Sequence, residues 1–314
     1  HETGAPARPD ALYNRCVMAT IPFTKVQGTG NDFVLLDGRR CELDWPALAR
    51  EICDRHFGVG ADGLLVARDS DTAPVRMLMY NPDGSLAEMC GNGLRCFVKY
   101  AIERGGLSAS DGAIDVDTGA GVLSATFDQP NGVIERVRLS LCAPRFDPAQ
   151  IPIATDGPVD ATGPLLGIPI ELVGTYYSVT PLSMGNPHAV HFTETPVDEI
   201  DLSTLGPAME HHEAFPQRTN FEVVNVLASD HLRMRVWERG AGLTLACGTG
   251  AAAAMVAARL HGHVGPSATI SLPGGDLQLE WNGSASGGES RPPVYLEGPA
   301  AYVFDGEWTL NGHA

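Results

Sequence analysis

Two cysteines each begin a glycine-rich turn, Cys90 in CGNG and Cys247 in CGTG. Helical apolar spacing follows the first turn and an alanine-rich run follows the second, so both cysteines are predicted at helix N-termini. The free N–H groups and the positive end of the dipole at such a terminus attract an anion and favour a thiolate. We therefore predict at each turn a thiol of lowered pKa beside a cradle for a carboxylate, which glycines allow to approach closely.

Such a pair of thiols suits inversion of configuration at one carbon. One thiolate removes a proton from one face of the carbon, and a thiol returns a proton to the other face. A substrate α-carboxylate held at both helix N-termini would stabilise the charge that develops during this transfer. For either turn alone, a tight helix start with a buried cysteine is an equally good interpretation; the pairing of the two turns favours chemistry.

An internal repeat relates the two turns. The run IPFTKVQ followed by GTGNDFVLLD corresponds to YYSVTPL followed by SMGNPHAVHF, and each contains a Gly-Asn step. Asn31 precedes Cys90 by nearly the same interval as Asn186 precedes Cys247. Short β-type runs bounded by turn residues surround both helices, which predicts two α/β domains with one principal helix each.

The repeat also sets the predicted domain limits. We assign 1–17 to a loose N-terminal extension, 18–142 to the first repeat domain and 143–297 to the second. The last strand-like run, within 298–314, is expected to return to the first domain.

Composition excludes several classes of function. The net charge of -17 disfavours binding to nucleic acid or to an anionic membrane, and no apolar run is long enough to span a bilayer. The start of the chain lacks the pattern of a signal peptide, and the seven cysteines are odd in number, so we expect reduced thiols in the cytoplasm. The cysteines lack zinc-ligand spacing, and the histidines at 211–212 and 261–263 are interpreted as loop residues, so no metal is expected.

Five motifs in combination closely resemble the diaminopimelate epimerase family: GTGNDF, YNPDGSLAEMCGNGLRCF, GNPHAV, QRTNFEVV and ERGAGLTLACGTG. The resemblance runs from about Ile21 to the C-terminus. It implies an α/β fold of the α+β type, with two pseudo-symmetric domains, each a strongly curved sheet or barrel around a central helix, and an active site in the cleft between them. It also implies an isomerase that interconverts LL- and meso-2,6-diaminopimelate without a cofactor, for lysine and peptidoglycan synthesis, and a homodimer.

The same resemblance implies the site residues. The catalytic set is Cys90, Cys247, His188 and Glu238, and the substrate-binding set is Asn31, Asn81, Gly91, Asn92, Asn186, Asn220, Glu238, Arg239, Gly248 and Thr249. Arg239 would offer a bidentate fork to the distal carboxylate, and the asparagines can orient both amine and carboxylate groups. Each also has a structural interpretation: Asn81 suits a turn, His188 suits a packed strand, and Glu238 with Arg239 suits an exposed turn.

Two positions depart from the family pattern. Gly63 stands where the family often has glutamine, and Leu243 stands where it often has glutamate; we expect Leu243 to change local packing. The nearest alternative is a proline or hydroxyproline racemase, which typically has histidine where this chain has Asn92. A thiol hydrolase with His188 as base is a further alternative. A carboxylate-binding protein without catalysis is another, but the presence of both thiols disfavours it. Which cysteine holds the thiolate, and whether the domains close on substrate, stays open.

Overall fold

The computed structural model describes residues 20–154, 163–284 and 291–310, so the predicted extension 1–17 lies outside the described residues. The first half contains two α-helices, α1 (Trp45–Ile52) and α2 (Gly91–Glu103). Its strands are β1 (Thr20–Gly28), β2 (Asn31–Asp37), β3 (Gly63–Arg68), β4 (Val75–Tyr80), β5 (Leu86–Ala87), β6 (Ala113–Thr118), β7 (Gly121–Thr126) and β8 (Arg136–Ser140).

The second half also contains two α-helices, α3 (Leu202–Glu210) and α4 (Gly248–Leu260). Its strands are β9 (Ile168–Leu172), β10 (Thr175–Ser183), β11 (Pro187–Phe192), β12 (Asn220–Ala228), β13 (His231–Glu238), β14 (Gly242–Thr244), β15 (Ser267–Leu272), β16 (Gly275–Glu280), β17 (Tyr295–Pro299) and β18 (Ala301–Thr309). Two short 3-10 helices, Pro130–Gly132 and Val197–Glu199, lie in connecting segments.

The strands of the two halves pair in the same order and with the same directions. In the first half β1–β2 is antiparallel, β2–β3 parallel, β3–β4 antiparallel, β4–β6 parallel, and β6–β7 and β7–β8 antiparallel. The series β10, β11, β12, β13, β15, β16, β17 repeats this sequence of directions without a change. The repeat detected in the sequence is therefore a repeat of topology, and the fold is the mixed α/β arrangement predicted.

The two halves join through β8 and β17, which are equivalent strands and pair antiparallel. Leu139 lies directly opposite Leu296 in this pairing. In each half the first strand of the repeated series pairs with one additional strand. β18 pairs with β1, and β9 pairs with β10. The C-terminal strand therefore lies beside the first strand of the chain.

The central helices α2 and α4 are enclosed by their sheets. Every residue of α4 from Gly250 to Ala258 is buried, which fits a helix that is apolar on all sides and small enough for strands to wrap closely. In α2 most residues are buried as well, and Cys96 lies in the core. Both helices contribute to one hydrophobic cluster that continues across the join between the halves.

In the described part of the chain no helix is long and apolar enough to cross a membrane. Six cysteines lie within the described ranges, and none of these six is in a disulfide.

Candidate active site

Cys90 and Cys247 occupy the same position in the two halves. Each is the N-cap of a 13-residue helix, with extended backbone angles (φ -139° and ψ 120° at Cys90, φ -126° and ψ 114° at Cys247). The carbonyl of each cysteine accepts the first helical hydrogen bond, from Leu94 N at 2.8 Å and from Ala251 N at 2.9 Å respectively. Both thiols thus sit at a helix N-terminus, as the sequence predicts.

The two helix starts lie side by side over the join between the halves. A Cβ atom placed on Gly91 would lie 3.9 Å from Leu139 Cδ1, and one on Gly248 would lie 3.4 Å from Leu296 Cδ1. Since Leu139 and Leu296 are cross-strand partners, their side chains are close neighbours. The positive ends of two helix dipoles therefore meet at one place, where backbone N–H groups can receive a carboxylate.

Asparagines surround Cys90. The thiol donates to Asn31 Oδ1 at 3.6 Å, and Asn92 Nδ2 donates to the same oxygen at 3.3 Å. Asn31 is held from behind, because its Nδ2 donates to Asp62 Oδ2 at 2.6 Å. Asp62 in turn accepts from Arg55 Nη2 at 2.6 Å, so the orientation of the amide beside Cys90 is fixed by a charged pair.

A different set of groups surrounds Cys247. Its Sγ accepts from Gly250 N at 3.3 Å and lies 3.5 Å from Thr249 Oγ1. Thr249 Oγ1 accepts from Asn186 Nδ2 at 3.5 Å, and Asn186 Oδ1 lies 2.9 Å from His188 Nε2. The four side chains of Cys247, Thr249, Asn186 and His188 form one continuous chain of contacts.

His188 is fully buried, and its other nitrogen has a partner that the sequence does not reveal. Nδ1 of His188 lies 2.7 Å from Glu222 Oε1, and Glu222 is also 0% exposed. The second oxygen of this carboxyl, Oε2, is buried without a hydrogen bond partner among the described residues. A carboxyl beside both imidazole and thiol is a typical feature of a site that handles protons.

Glu238 forms a hydrogen bond with Cys247, and after burial its charge is a further cause of the raised pKa of Cys90 and of Cys247. Its carboxyl accepts from Thr244 Oγ1, and Thr244 pairs with Val236 through β13 and β14. A half-buried carboxylate next to the thiols is a suitable counter-ion for an ammonium group.

The remaining predicted contacts lie on the strand ends and turns around these groups. Asn220 is buried, donates to Pro187 O at 2.8 Å and accepts from Arg239 N at 2.8 Å. The exposed guanidinium of Arg239 donates to Gln217 O at 3.2 Å. Asn81 donates to Ser85 Oγ at 2.9 Å inside its own turn, which agrees with its structural interpretation.

The prediction that the helix termini lower the thiol pKa is wrong for the protein without substrate. Burial is the largest influence on both thiols, and it raises the pKa of Cys90 and raises that of Cys247 well above its usual value. The helix still acts in the predicted direction, because N–H groups of Asn92 and Gly93 favour the Cys90 thiolate and that of Gly250 favours the Cys247 thiolate. Desolvation of the two thiols outweighs these hydrogen bonds.

Comparison with known proteins identifies the family. The sequence profile of the diaminopimelate epimerase family matches residues 23–138 and 180–303. The chain belongs to the diaminopimelate epimerase family. A relative named diaminopimelate epimerase from Pelotomaculum thermopropionicum is 46% identical over 289 residues, covering 91% of this chain and 98% of the relative. Another of that name, from Moorella thermoacetica, is 45% identical over 291 residues, covering 92% and 99%.

Solved structures with much lower sequence identity to this protein share its fold. A probable proline racemase from Agrobacterium radiobacter with bound carbonate has a TM-score of 0.65 at 15% identity, covering 93% of both chains. A phenazine biosynthesis protein of the PhzF family from Bacillus anthracis has a TM-score of 0.64 at 16% identity, covering 93% of this chain and 100% of that one. These likenesses show the same fold.

The two departures from the family pattern lie near the site. Gly63 begins β3 directly opposite Phe33, and a Cβ there would lie 3.0 Å from Tyr80 O, so the strand is tightly packed at this point. Leu243 lies on β14 with 50% of its surface exposed, so the expectation that it changes local packing stays a prediction.

Sequence reasoning missed Asp62, Arg95 and Glu222, each of which supports a predicted residue. The repeat itself contains the signal for two of them. From β3 to the end of α2, equivalent residues differ by a constant offset, which matches Glu222 with Leu65 and Arg95 with Ala252. A charged residue where the other half has a buried apolar one marks a position that packing alone does not explain.

We expect Gly250→Ala to disrupt the site. A Cβ at Gly250 would lie 2.8 Å from Glu222 Oε1 and 3.3 Å from Cys247 Sγ, and the buried carboxyl has no solvent-filled space to enter. Overpacking of this kind is expected to lower the free energy of unfolding by about 1–3 kcal/mol and to reduce turnover by displacing Glu222 from His188. Thermal unfolding and an epimerase assay check both effects.

Gly265→Ala is the matched control, because a Cβ there meets no atom within 4 Å. It should leave both stability and turnover close to those of the unmodified protein. If Gly250→Ala behaves like this control, the carboxyl is not packed against the helix start as described.

Proposed function

We propose that this protein is a diaminopimelate epimerase that interconverts the LL and meso forms of 2,6-diaminopimelate by a two-thiol proton transfer. The observation that carries the proposal is the pair of equivalent N-cap thiols, Cys90 and Cys247, whose helices begin side by side over the Leu139–Leu296 pair. The relatives at 46% and 45% identity support the same activity.

In the proposed reaction the α-carboxylate lies between the two helix N-termini, held by N–H groups of the turns that contain Gly91, Asn92, Gly248 and Thr249. One cysteine, as thiolate, takes the α-proton and leaves the bonding electron pair on the substrate. The S–H bond of the other cysteine then breaks, and its proton goes to the opposite face of the α-carbon. The protein has exchanged one proton for another, and the roles of the two sulfurs are reversed.

The other predicted residues have supporting roles in this proposal. Glu238 is the counter-ion of the α-ammonium group, and Asn31 and Asn186 orient the substrate beside Cys90 and Cys247. Asn81, Asn220 and Arg239 bind the distal part of the substrate, with Arg239 as the cation for the second carboxylate. His188 supports Cys247 through Asn186 and Thr249.

A homodimer and a cytoplasmic role in lysine and peptidoglycan precursor synthesis are part of the proposal. Exposed side chains on β18, Val303 at 54% and Phe304 at 48%, support association through this strand. Within the described ranges β18 pairs with β1 alone, so its outer edge is available to a second copy. We also propose the domain limits predicted from the sequence, which lie near residues 142 and 298.

The racemase alternative has support in the shared fold with a probable proline racemase. The half-buried carboxyl of Glu238 and the exposed guanidinium of Arg239 favour a longer substrate with an additional charged end. A secondary amine with a single carboxylate would leave Arg239 without a partner.

Incubation of LL-diaminopimelate with the protein in D₂O is expected to give meso product with deuterium at the inverted carbon. The reason is that the proton delivered by the second thiol exchanges with solvent between turnovers. The rate should not change on addition of pyridoxal phosphate or a chelator, and L-proline should not be racemised. Mass spectrometry and chiral chromatography measure both results.

Turnover of proline but not diaminopimelate would reverse the order of the two candidates. A requirement for added pyridoxal phosphate would exclude the two-thiol mechanism.

A further inference from the structure

The two thiols sit in pseudo-symmetric positions, yet the buried charges around them differ in sign. The half that contains Cys90 has Arg95 in its helix, where the other half has Ala252. The half that contains Cys247 has His188 and Glu222 on paired strands, where the first half has Phe33 and Leu65. Of these residues, Arg95 acts electrostatically on Cys90 and Glu222 acts on Cys247, so the two halves differ where charge affects the proton affinity of the thiols.

Arg95 is a buried cation that has no carboxylate partner among the described residues. It is 0% exposed, and its bonds go to neutral groups: Nη2 donates to Thr29 Oγ1 at 2.6 Å and to Asn92 Oδ1 at 2.9 Å, and Nε donates to Pro299 O at 3.2 Å. Its Nη1 is buried with no hydrogen bond partner among the described residues. Burying an unpaired charge is unfavourable, so a negative group nearby would be strongly stabilised.

Cys90 is the group that can supply this negative charge. Arg95 lies in the same helix and reaches it through Asn92, whose Nδ2 donates to the Asn31 oxygen that also accepts from the Cys90 thiol. Cys96 is the other thiol near Arg95, but burial raises its pKa to about 12, so it stays protonated. Burial also lowers the pKa of Arg95 to about 10, and the charge on Cys90 opposes that shift.

The surroundings of Cys247 favour its protonated form. Glu222 and Glu238 both face it, and a negative charge on either raises the pKa of this thiol. Glu222 touches the helix start directly, since its Oε1 lies 2.8 Å from the Cβ position of Gly250. The donors on this side are Thr249 and the N–H of Gly250. On the Cys90 side, Asn92, Gly93 and Arg95 act against Glu238.

We propose that Arg95 and Glu222 are positioning residues that make the two thiols unequal, so that Cys90 loses its proton at a lower pH than Cys247 and the form with one proton on the pair has its thiolate on Cys90. The inference rests on the two-thiol function proposed above and adds which sulfur is the base of the resting enzyme. Catalysis from this form begins with Cys90 as base and Cys247 as acid, and leaves Cys90 protonated and Cys247 as thiolate. The reverse proton arrangement after turnover is the less stable one and returns by exchange with solvent.

Thiolate absorbance near 240 nm, followed against pH, tests the proposal without substrate. Cys247→Ser leaves Cys90 as the titrating site thiol, and Cys90→Ser leaves Cys247, while the other cysteines are common to both proteins. Cys90 is expected to titrate at a midpoint at least about one pH unit below that of Cys247. Equal midpoints, or a lower midpoint for Cys247, would overturn the assignment.

Second substitutions assign the cause. In the Cys247→Ser protein, Arg95→Gln should raise the Cys90 midpoint by about one pH unit or more, and Arg95→Lys, which keeps the cation, should restore most of it. In the Cys90→Ser protein, Glu222→Gln should lower the Cys247 midpoint. An unchanged midpoint in Arg95→Gln would mean that Arg95 does not act on Cys90. If Arg95→Gln does not fold, the Glu222→Gln titration decides, and an unchanged Cys247 midpoint there overturns the proposal.

The titration and the activity assay can fail separately. A protein that lacks epimerase activity but shows unequal thiols would refute the proposed function and keep the charge asymmetry. An active epimerase whose two thiols titrate equally would keep the proposed function and refute the charge asymmetry.

Discussion

Replacement of either Cys90 or Cys247 by alanine is expected to reduce epimerisation by at least about 10²–10⁴-fold, the usual contribution of a general acid or base. Inversion needs a proton acceptor on one face of the α-carbon and a donor on the other. The described residues place one thiol at the start of each central helix, so each alanine removes one face. A coupled assay for meso product measures the loss.

Proton exchange in D₂O separates a lost catalytic group from a damaged fold. Each single variant still has one thiolate, which can remove and replace a proton on its own face. We expect each variant to exchange the α-hydrogen of only one stereoisomer, with retention of configuration, and the two variants should prefer opposite isomers. Exchange with inversion in either variant would remove that cysteine from its proposed role.

Cys142→Ala is the matched control, because this exposed thiol caps neither central helix and has no assigned part in the reaction. It should keep full activity and exchange. Cys96→Ala tests the loss of a buried thiol that has no proposed chemical role. Cys96 belongs to α2 and lies in the core, so stability should fall while the stereochemical course of exchange is unchanged.

Local patterns in the sequence predict much of this fold. The runs AIDVDT and GVLSATF are strand-like and are bounded by turn residues. They form the β6–β7 hairpin. The glycines after Cys90 and Cys247 predict both helix starts correctly, because a helix start depends on the residues within one turn. The equal order of motifs in the two halves predicts the repeat of topology.

Long-range contacts explain what the sequence does not predict. Glu222 becomes the partner of His188 only because β11 and β12 pair in parallel, with Val190 opposite Glu222, and the register of that pairing is not a local property. The prediction that the pKa of the two thiols is lowered was wrong for a similar reason. Helix position is visible in the sequence, whereas burial of Cys90 and Cys247 results from the closure of two sheets around them.

Glu238→Gln is expected to lower kcat/KM for diaminopimelate by about 30-fold or more, since loss of one partner of a buried charge pair is unfavourable by about 2–5 kcal/mol. Glutamine keeps an oxygen that can accept from Thr244, so the local structure should persist. The variant removes only the negative charge that we assign to the α-ammonium group.

The pH dependence of kcat/KM gives the decisive readout for Glu238. Burial raises the pKa of its carboxyl above the usual value of 4.5. Ammonium binding needs the ionised form, so the activity of the unmodified protein should fall as the pH drops through this raised pKa, and Glu238→Gln should lack that acidic limb. Glu280→Gln is the control: this half-buried carboxyl pairs with Arg138 at 2.8 Å outside the site, and its loss should alter neither the rate nor the profile. An acidic limb that persists in Glu238→Gln would mean that a different carboxyl binds the amine, and Glu222, buried beside His188, is the group that would then be tested next.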